Sequence, residues 1–209
     1  GFKSFPKFTE VIRPLAFISW FIASSYIDQK PLDAIPYKAH SLYLDEKTEL
    51  SLTFIIEDEE YKYNLVLQKN QVLEESLHQK TSRSFSYIFK RERNNIEDEF
   101  DYKQKGFDLT NRVAKKVKGN ASIISAAYMN DSEVAKKFIN YFANSFHSNI
   151  TVSGRDNYSE NYLINSAKFF YDNQTLNDKM NKIICELNLG INSVKINEIE
   201  IPTEDDKVQ

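Results

Sequence analysis

The residue types that could do chemistry are scattered, and their spacing decides most of them against it. His40, His78 and His147 are far apart in the chain. None has a second histidine, a cysteine or a paired carboxylate at ligand spacing, so no metal site is expected. Cys185, the single cysteine, excludes an intrachain disulfide. It lacks a neighbouring base and falls in an apolar helical stripe, which predicts a buried thiol. Ser-His-Asp catalysis has no G-x-S-x-G to support it. Carboxylates gather at Glu57–Glu60, at Glu74-Glu75 and at Glu97–Glu99. The first group lacks the glycine and the alternation of a calcium loop and reads as a solvated turn. The other two could meet in space as an acid–base pair; charges on strand edges that block edge pairing are the expected alternative.

Basic residues leave more room. Arg83, Lys90, Arg91 and Arg93 are candidate nucleic-acid contacts, because they interleave with Phe85, Tyr87 and Phe89, which strand alternation places on one face. An ordinary polar strand face is the competing reading. Arg112, Lys115, Lys116 and Lys118 lie on a short predicted helix and are expected to face solvent.

The elements that would position these residues follow from periodicity. Phe2–Phe5 and Phe8–Ile12 read as two short strands turned at Pro6-Lys7, with Arg13-Pro14 closing the second. Leu15–Ile27 has no polar face and predicts a buried helix too short for a membrane span. After a connector with Pro31 and Pro36, Leu50, Leu52, Phe54 and Ile56 alternate with polar residues. So do Tyr61, Tyr63, Leu65 and Leu67 beyond an acidic turn, which predicts an antiparallel hairpin. Val72–Gln79, Ser84–Arg91 and Asn95–Phe100 extend it into a meander. From Gly106 the period becomes helical. Asp108 is the expected cap of a short helix, and Asn120–Met129 forms another. Asn130–Glu133 resembles a capping box ahead of Val134, Phe138, Tyr141, Phe142 and Phe146. Helices are expected from Ser159 and Thr175, the latter stopped at Gly190, and Ile191–Ile201 as a return strand.

At 209 residues, with 41% hydrophobic and 13% aromatic content, the chain can bury a sizeable core and is not disordered. A formal net charge of −3 gives no global footprint for nucleic acid. No secretory signal pattern is evident, so the N-x-[ST] matches at Asn120, Asn149, Asn157 and Asn173 read as chance and the cytoplasm is the expected compartment, with no membrane association.

The phrase Gly1-Phe2-Lys3-Ser4-Phe5, followed by Phe8-Thr9-Glu10-Val11 and Arg13-Pro14-Leu15, resembles the first hairpin of ABC-type ATPase heads of the SMC, RecF and OLD group. Phe17–Tyr26 resembles the helix after the P-loop in bacterial AAA-annotated ATPases of the RloA/AbiL type, associated with abortive infection and phage defence. Leu187–Ile196 is similar to the passage before the second half of such proteins. The resemblance implies an α+β or α/β fold: an N-terminal fragment of an ATPase head, with an antiparallel β subdomain followed by a helical subdomain. Its divisions are an ATPase-core hairpin and helix (1–39), the β subdomain (40–105), the helical subdomain (106–190) and a return strand with an acidic tail (191–209). It implies nucleotide contact at Lys3 and Ser4, ATP and Mg2+ as cofactors, a homodimer or higher oligomer through the heads, and a nuclease or toxin partner gated by nucleotide-dependent dimerisation.

One departure bears on all of this. No G-x-x-x-x-G-K-[ST] occurs, and Gly1 is the only glycine before Gly106. The backbone N–H groups that would approach a phosphate are thus missing, as are the signature and Walker B motifs. Either the chain is a nucleotide-free relative, or a loop near Leu15–Ser19 is missing from it. Readings of other classes stay open: a non-catalytic interaction domain, or an RNA-binding toxin-like protein.

Overall fold

The computed structural model describes residues 8–37, 46–68, 71–94, 99–144, 150–151, 154–155, 160–187 and 190–198. The chain divides into two compact units, 1–156 and 157–209.

The first unit is α+β. A helix, α1 (Phe8–Asp28), precedes five strands: β1 (Thr48–Ile56), β2 (Glu59–Gln68), β3 (Gln71–Lys80), β4 (Phe85–Asn94) and β5 (Glu99–Gln104). They pair in sequence order, all antiparallel, as the alternation predicted. Three helices follow, α2 (Asn111–Ala114), α3 (Ile123–Tyr128) and α4 (Glu133–Asn144), then the short pair β6 (Ile150–Thr151) and β7 (Gly154–Arg155). One sheet face carries Tyr63, Leu65, Leu77 and Phe89, all fully buried in one core with residues of α1, α3 and α4. Turn chemistry fits the register: Glu57 and Asp58 have φ of 52° and 65°, the two left-handed positions that a two-residue hairpin needs.

Phe8–Ile12 is not a strand. It forms the first turns of α1, while residues 1–7 lie outside the described residues. Aromatic and β-branched residues favoured a strand locally, but burial decides. Phe17, Ile18, Phe21, Ile22 and Ser25 make one buried stripe at helical spacing, and the helix continues N-terminally from it. It runs unbroken through Leu15–Ser19 with Pro14 inside. Proline there removes one i→i−4 bond and its ring crowds the Glu10 carbonyl. Pro14→Ala is therefore expected to stabilise the fold by about 1–3 kcal/mol in chemical denaturation. A neutral or destabilising result would instead favour the extended hairpin.

The helix caps differ in detail from the reading of the sequence. Asp108 sits at φ 63° and does not cap α2; Thr110 occupies the N-cap position. Ser122 caps α3, accepting from the Ile124 amide at 3.0 Å. Ser132 caps α4, accepting from Ala135 N at 3.1 Å. Phe146 falls outside the described residues.

The second unit holds α5 (Glu160–Asp172) and α6 (Gln174–Glu186). Residues 191–198 form no strand; they are tied to α6 by Val194 N donating to Asn181 Oδ1 at 2.6 Å and Cys185 Sγ donating to Asn192 O at 3.0 Å. Cys185 is only half-buried, and no residue of α6 is buried. Among the described residues no helix is long and apolar enough to cross a membrane.

Candidate functional site

The strongest concentration of charge is inside the first unit. Glu75 on β3 and Arg91 on β4 are direct partners in the ladder and both are completely buried. Arg91 Nη2 lies 3.0 Å from Glu75 Oε2. The carboxylate also accepts from Tyr63 Oη at 2.9 Å, Ser122 Oγ at 2.6 Å and the Ile123 amide at 3.0 Å. Arg91 Nη2 donates in addition to the Ala121 carbonyl, and the guanidinium stacks 4.6 Å from the Phe100 ring centre. Burial, reinforced by the Glu75 charge, pushes the Tyr63 phenol well above its ordinary pKa. Burial pulls the Arg91 pKa down while the same carboxylate opposes the shift. Both carboxylate oxygens accept hydrogen bonds and neither side chain is exposed, while Arg91 Nε has no hydrogen-bond partner; the pair is a joint between sheet and α3.

A second cluster lies at the sheet end where α4 begins. Lys137 Nζ is 3.0 Å from both Glu57 and Glu59 carboxylates and donates to Tyr61 Oη at 3.1 Å. Tyr61 in turn donates to Glu59. Partial burial lowers the Lys137 pKa, but its hydrogen bonds to Glu57, Glu59 and Tyr61 outweigh this and hold it above the ordinary value. The bonds from Tyr61 and Lys137 keep the Glu59 pKa below its usual range. The amine is thus a fixed ammonium at neutral pH, unable to act as base or nucleophile. An open cavity of about 490 Å3 beside it is lined by Glu59, Tyr61, Gln79, Lys105, Glu133 and Lys137, among others.

The residues picked out from the sequence come to different places. Lys3, Ser4, His40, His147, Glu97 and Asp98 lie outside the described residues. Glu75 is not a strand-edge charge. Arg91 cannot be a nucleic-acid contact, since a fully buried guanidinium paired to Glu75 has no path to a phosphate. Arg93 donates to Gln71 and stands 5.8 Å from Phe100. Arg83 is exposed in the β3–β4 turn, and Lys90 is half-buried with Nζ 5.7 Å from the Tyr87 ring centre. Phe85, Tyr87 and Phe89 do not share a face. A bulge shifts the register between Leu77 and His78, which leaves Ile88 as the extra residue. Phe89 then turns into the core and Tyr87 away from it.

No protein-family model, no curated protein and no solved structure matches the chain. The ATPase resemblance rests on its sequence phrases. ATP and Mg2+ do not fit the described residues. α1 passes without interruption where a phosphate-binding loop would enter, with no glycine near it. Among the described residues, no group of three His, Cys, Asp or Glu could hold a metal ion.

Proposed function

We propose that the chain is the non-catalytic β scaffold of an ABC/SMC-like ATPase resembling the RloA/AbiL abortive-infection group. In this reading nucleotide-dependent head dimerisation gates a nuclease or toxin effector. The observation that supports it is the order of elements: an apolar N-terminal helix, then a five-strand antiparallel meander, then helices. The resemblance implies this order for the helix, the meander and the later helices; its second N-terminal strand and its return strand are not formed among the described residues. The Glu75–Arg91 joint supports a mechanical role for the meander, since it ties the sheet rigidly to the helices that a head would move. No step of ATP chemistry is derived from the residues present.

A second reading, a non-catalytic interaction domain with no nucleotide site, is favoured by the unbroken α1. Melting curves separate the two. With the product of the full reading frame, a non-hydrolysable ATP analogue plus Mg2+ is expected to raise Tm by several degrees. That shift corresponds to about 2–3 kcal/mol at saturating ligand, and Lys3→Ala should reduce it. An unchanged Tm at millimolar analogue rejects the ATPase reading and leaves the interaction domain.

A further inference from the structure

The face of the sheet opposite the core has a charge pattern that packing does not explain. Ser76, Lys90 and Lys103 are successive ladder partners on β3, β4 and β5. Lys90 and Lys103 therefore stand directly opposite one another, an arrangement of like charges that destabilises a sheet. Lys62 on β2 stands opposite His78 on β3. Lys105, just beyond β5, brings its ammonium 4.6 Å from the Tyr87 ring centre, on a ring that Lys90 also approaches at 5.7 Å. Among the described residues, Lys62, Lys90, Lys103 and Lys105 form no ion pair. Burial and the neighbouring Lys90 hold the His78 pKa down, so that ring is neutral and adds no positive charge to the row.

Aromatic rings complete the surface. Tyr87 faces outward because of the bulge at Ile88. Phe85, two residues earlier, is 37% exposed and belongs to the same face. Two rings about 7 Å apart along one strand, flanked by unpaired ammonium groups, offer stacking platforms beside phosphate contacts.

We propose that this outer face of the meander, built on Tyr87, Phe85, Lys62, Lys90, Lys103 and Lys105, binds single-stranded nucleic acid. The next ladder row along the strands argues for one strand over two. There Glu74 opposes Glu92, and Glu92 opposes Asp101. This acidic row is about 7 Å from the lysine row, so a single strand can follow the lysines while a duplex would meet the carboxylates. The proposal does not depend on the ATPase reading, and Arg91 has no part in it.

Fluorescence anisotropy on the whole chain tests it. The probes are labelled oligothymidylate and oligouridylate of about twelve nucleotides, and a duplex of the same length. Binding is expected for both single strands and weaker for the duplex. Lys90→Glu/Lys103→Glu should cost at least about tenfold in affinity and flatten the salt dependence, which scales as roughly −0.7 per phosphate neutralised on a single strand. Tyr87→Ala should cost about fivefold or more with an unchanged salt slope. Lys115→Glu, on a lysine ion-paired to Glu99 at 3.7 Å, should have no effect. Melting curves check that each variant folds; should the double reversal fail to fold, Lys62→Gln/Lys105→Gln replaces it. The proposal is overturned by absent binding, by duplex preference, or by an equal loss with Lys115→Glu. It is also overturned if Tyr87→Ala is neutral while polyglutamate competes as well as the oligonucleotides, a result that would make the face an acidic-protein site.

Discussion

Glu75→Ala is expected to cost about 3–5 kcal/mol of unfolding free energy, because it leaves the Arg91 guanidinium buried without its counter-charge. Arg91→Met should cost a similar amount from the other side, stranding a carboxylate that still faces Tyr63, Ser122 and Ile123. Glu75→Leu/Arg91→Met is expected to recover only part of the loss: both buried charges are gone, but Tyr63 Oη, Ser122 Oγ and the Ile123 amide are left without their acceptor. Urea denaturation measures all three. If either single substitution costs less than about 1 kcal/mol, water reaches the pair and the joint is not closed.

The second large effect is expected at Phe54 on β1. Its ring lies 5.0 Å from Phe142, 5.5 Å from Tyr141, 5.8 Å from Tyr61 and 6.3 Å from Phe138, joining an edge strand to α4. Phe54→Ala should cost about 3–5 kcal/mol, and Phe54→Leu distinctly less, by the volume each leaves empty. A cavity of about 220 Å3 already borders this ring, lined also by Leu15, Ser19, Leu52 and Tyr141. If the alanine variant costs less than about 2 kcal/mol, the neighbouring rings collapse into the space and the cluster is softer than its geometry implies.

How far the sequence reveals this architecture depends on the element. The Leu50–Ile56 and Tyr61–Leu67 alternations were legible because they are uninterrupted, and every pair falls in a regular register. Beyond them, counting by twos fails at two bulges. Leu73 is the extra residue where the β2–β3 register shifts, and Ile88 where the β3–β4 register does. Each bulge flips the faces on either side of it. Alternation counted across Leu73 therefore does not assign Glu75 its face, and alternation counted across Ile88 wrongly joins Tyr87 to Phe89. A usable signal did exist: Glu75, Leu77, Phe89 and Arg91 have matching parity once a hairpin is drawn through them. The start of α1 was misread for a different reason. Strand propensity at Phe8–Ile12 is local, whereas the helix those residues begin is anchored further along, where Phe17, Ile18, Phe21 and Ile22 are buried against α3 and α4, distant in sequence.

That separation has a bearing on synthesis. Each hairpin of the meander closes between neighbours, but α1 is held by groups that come much later. Ser25 accepts from Ser122 N across 97 residues, and Ser19 donates to the Phe142 carbonyl across 123. At ribosomal speeds of about 5–20 residues per second, the aromatic stripe of α1 waits roughly 5–25 s for these partners. Through that interval Phe17, Phe21 and Ile22 lack the partners in α3 and α4 that help cover them in the folded chain.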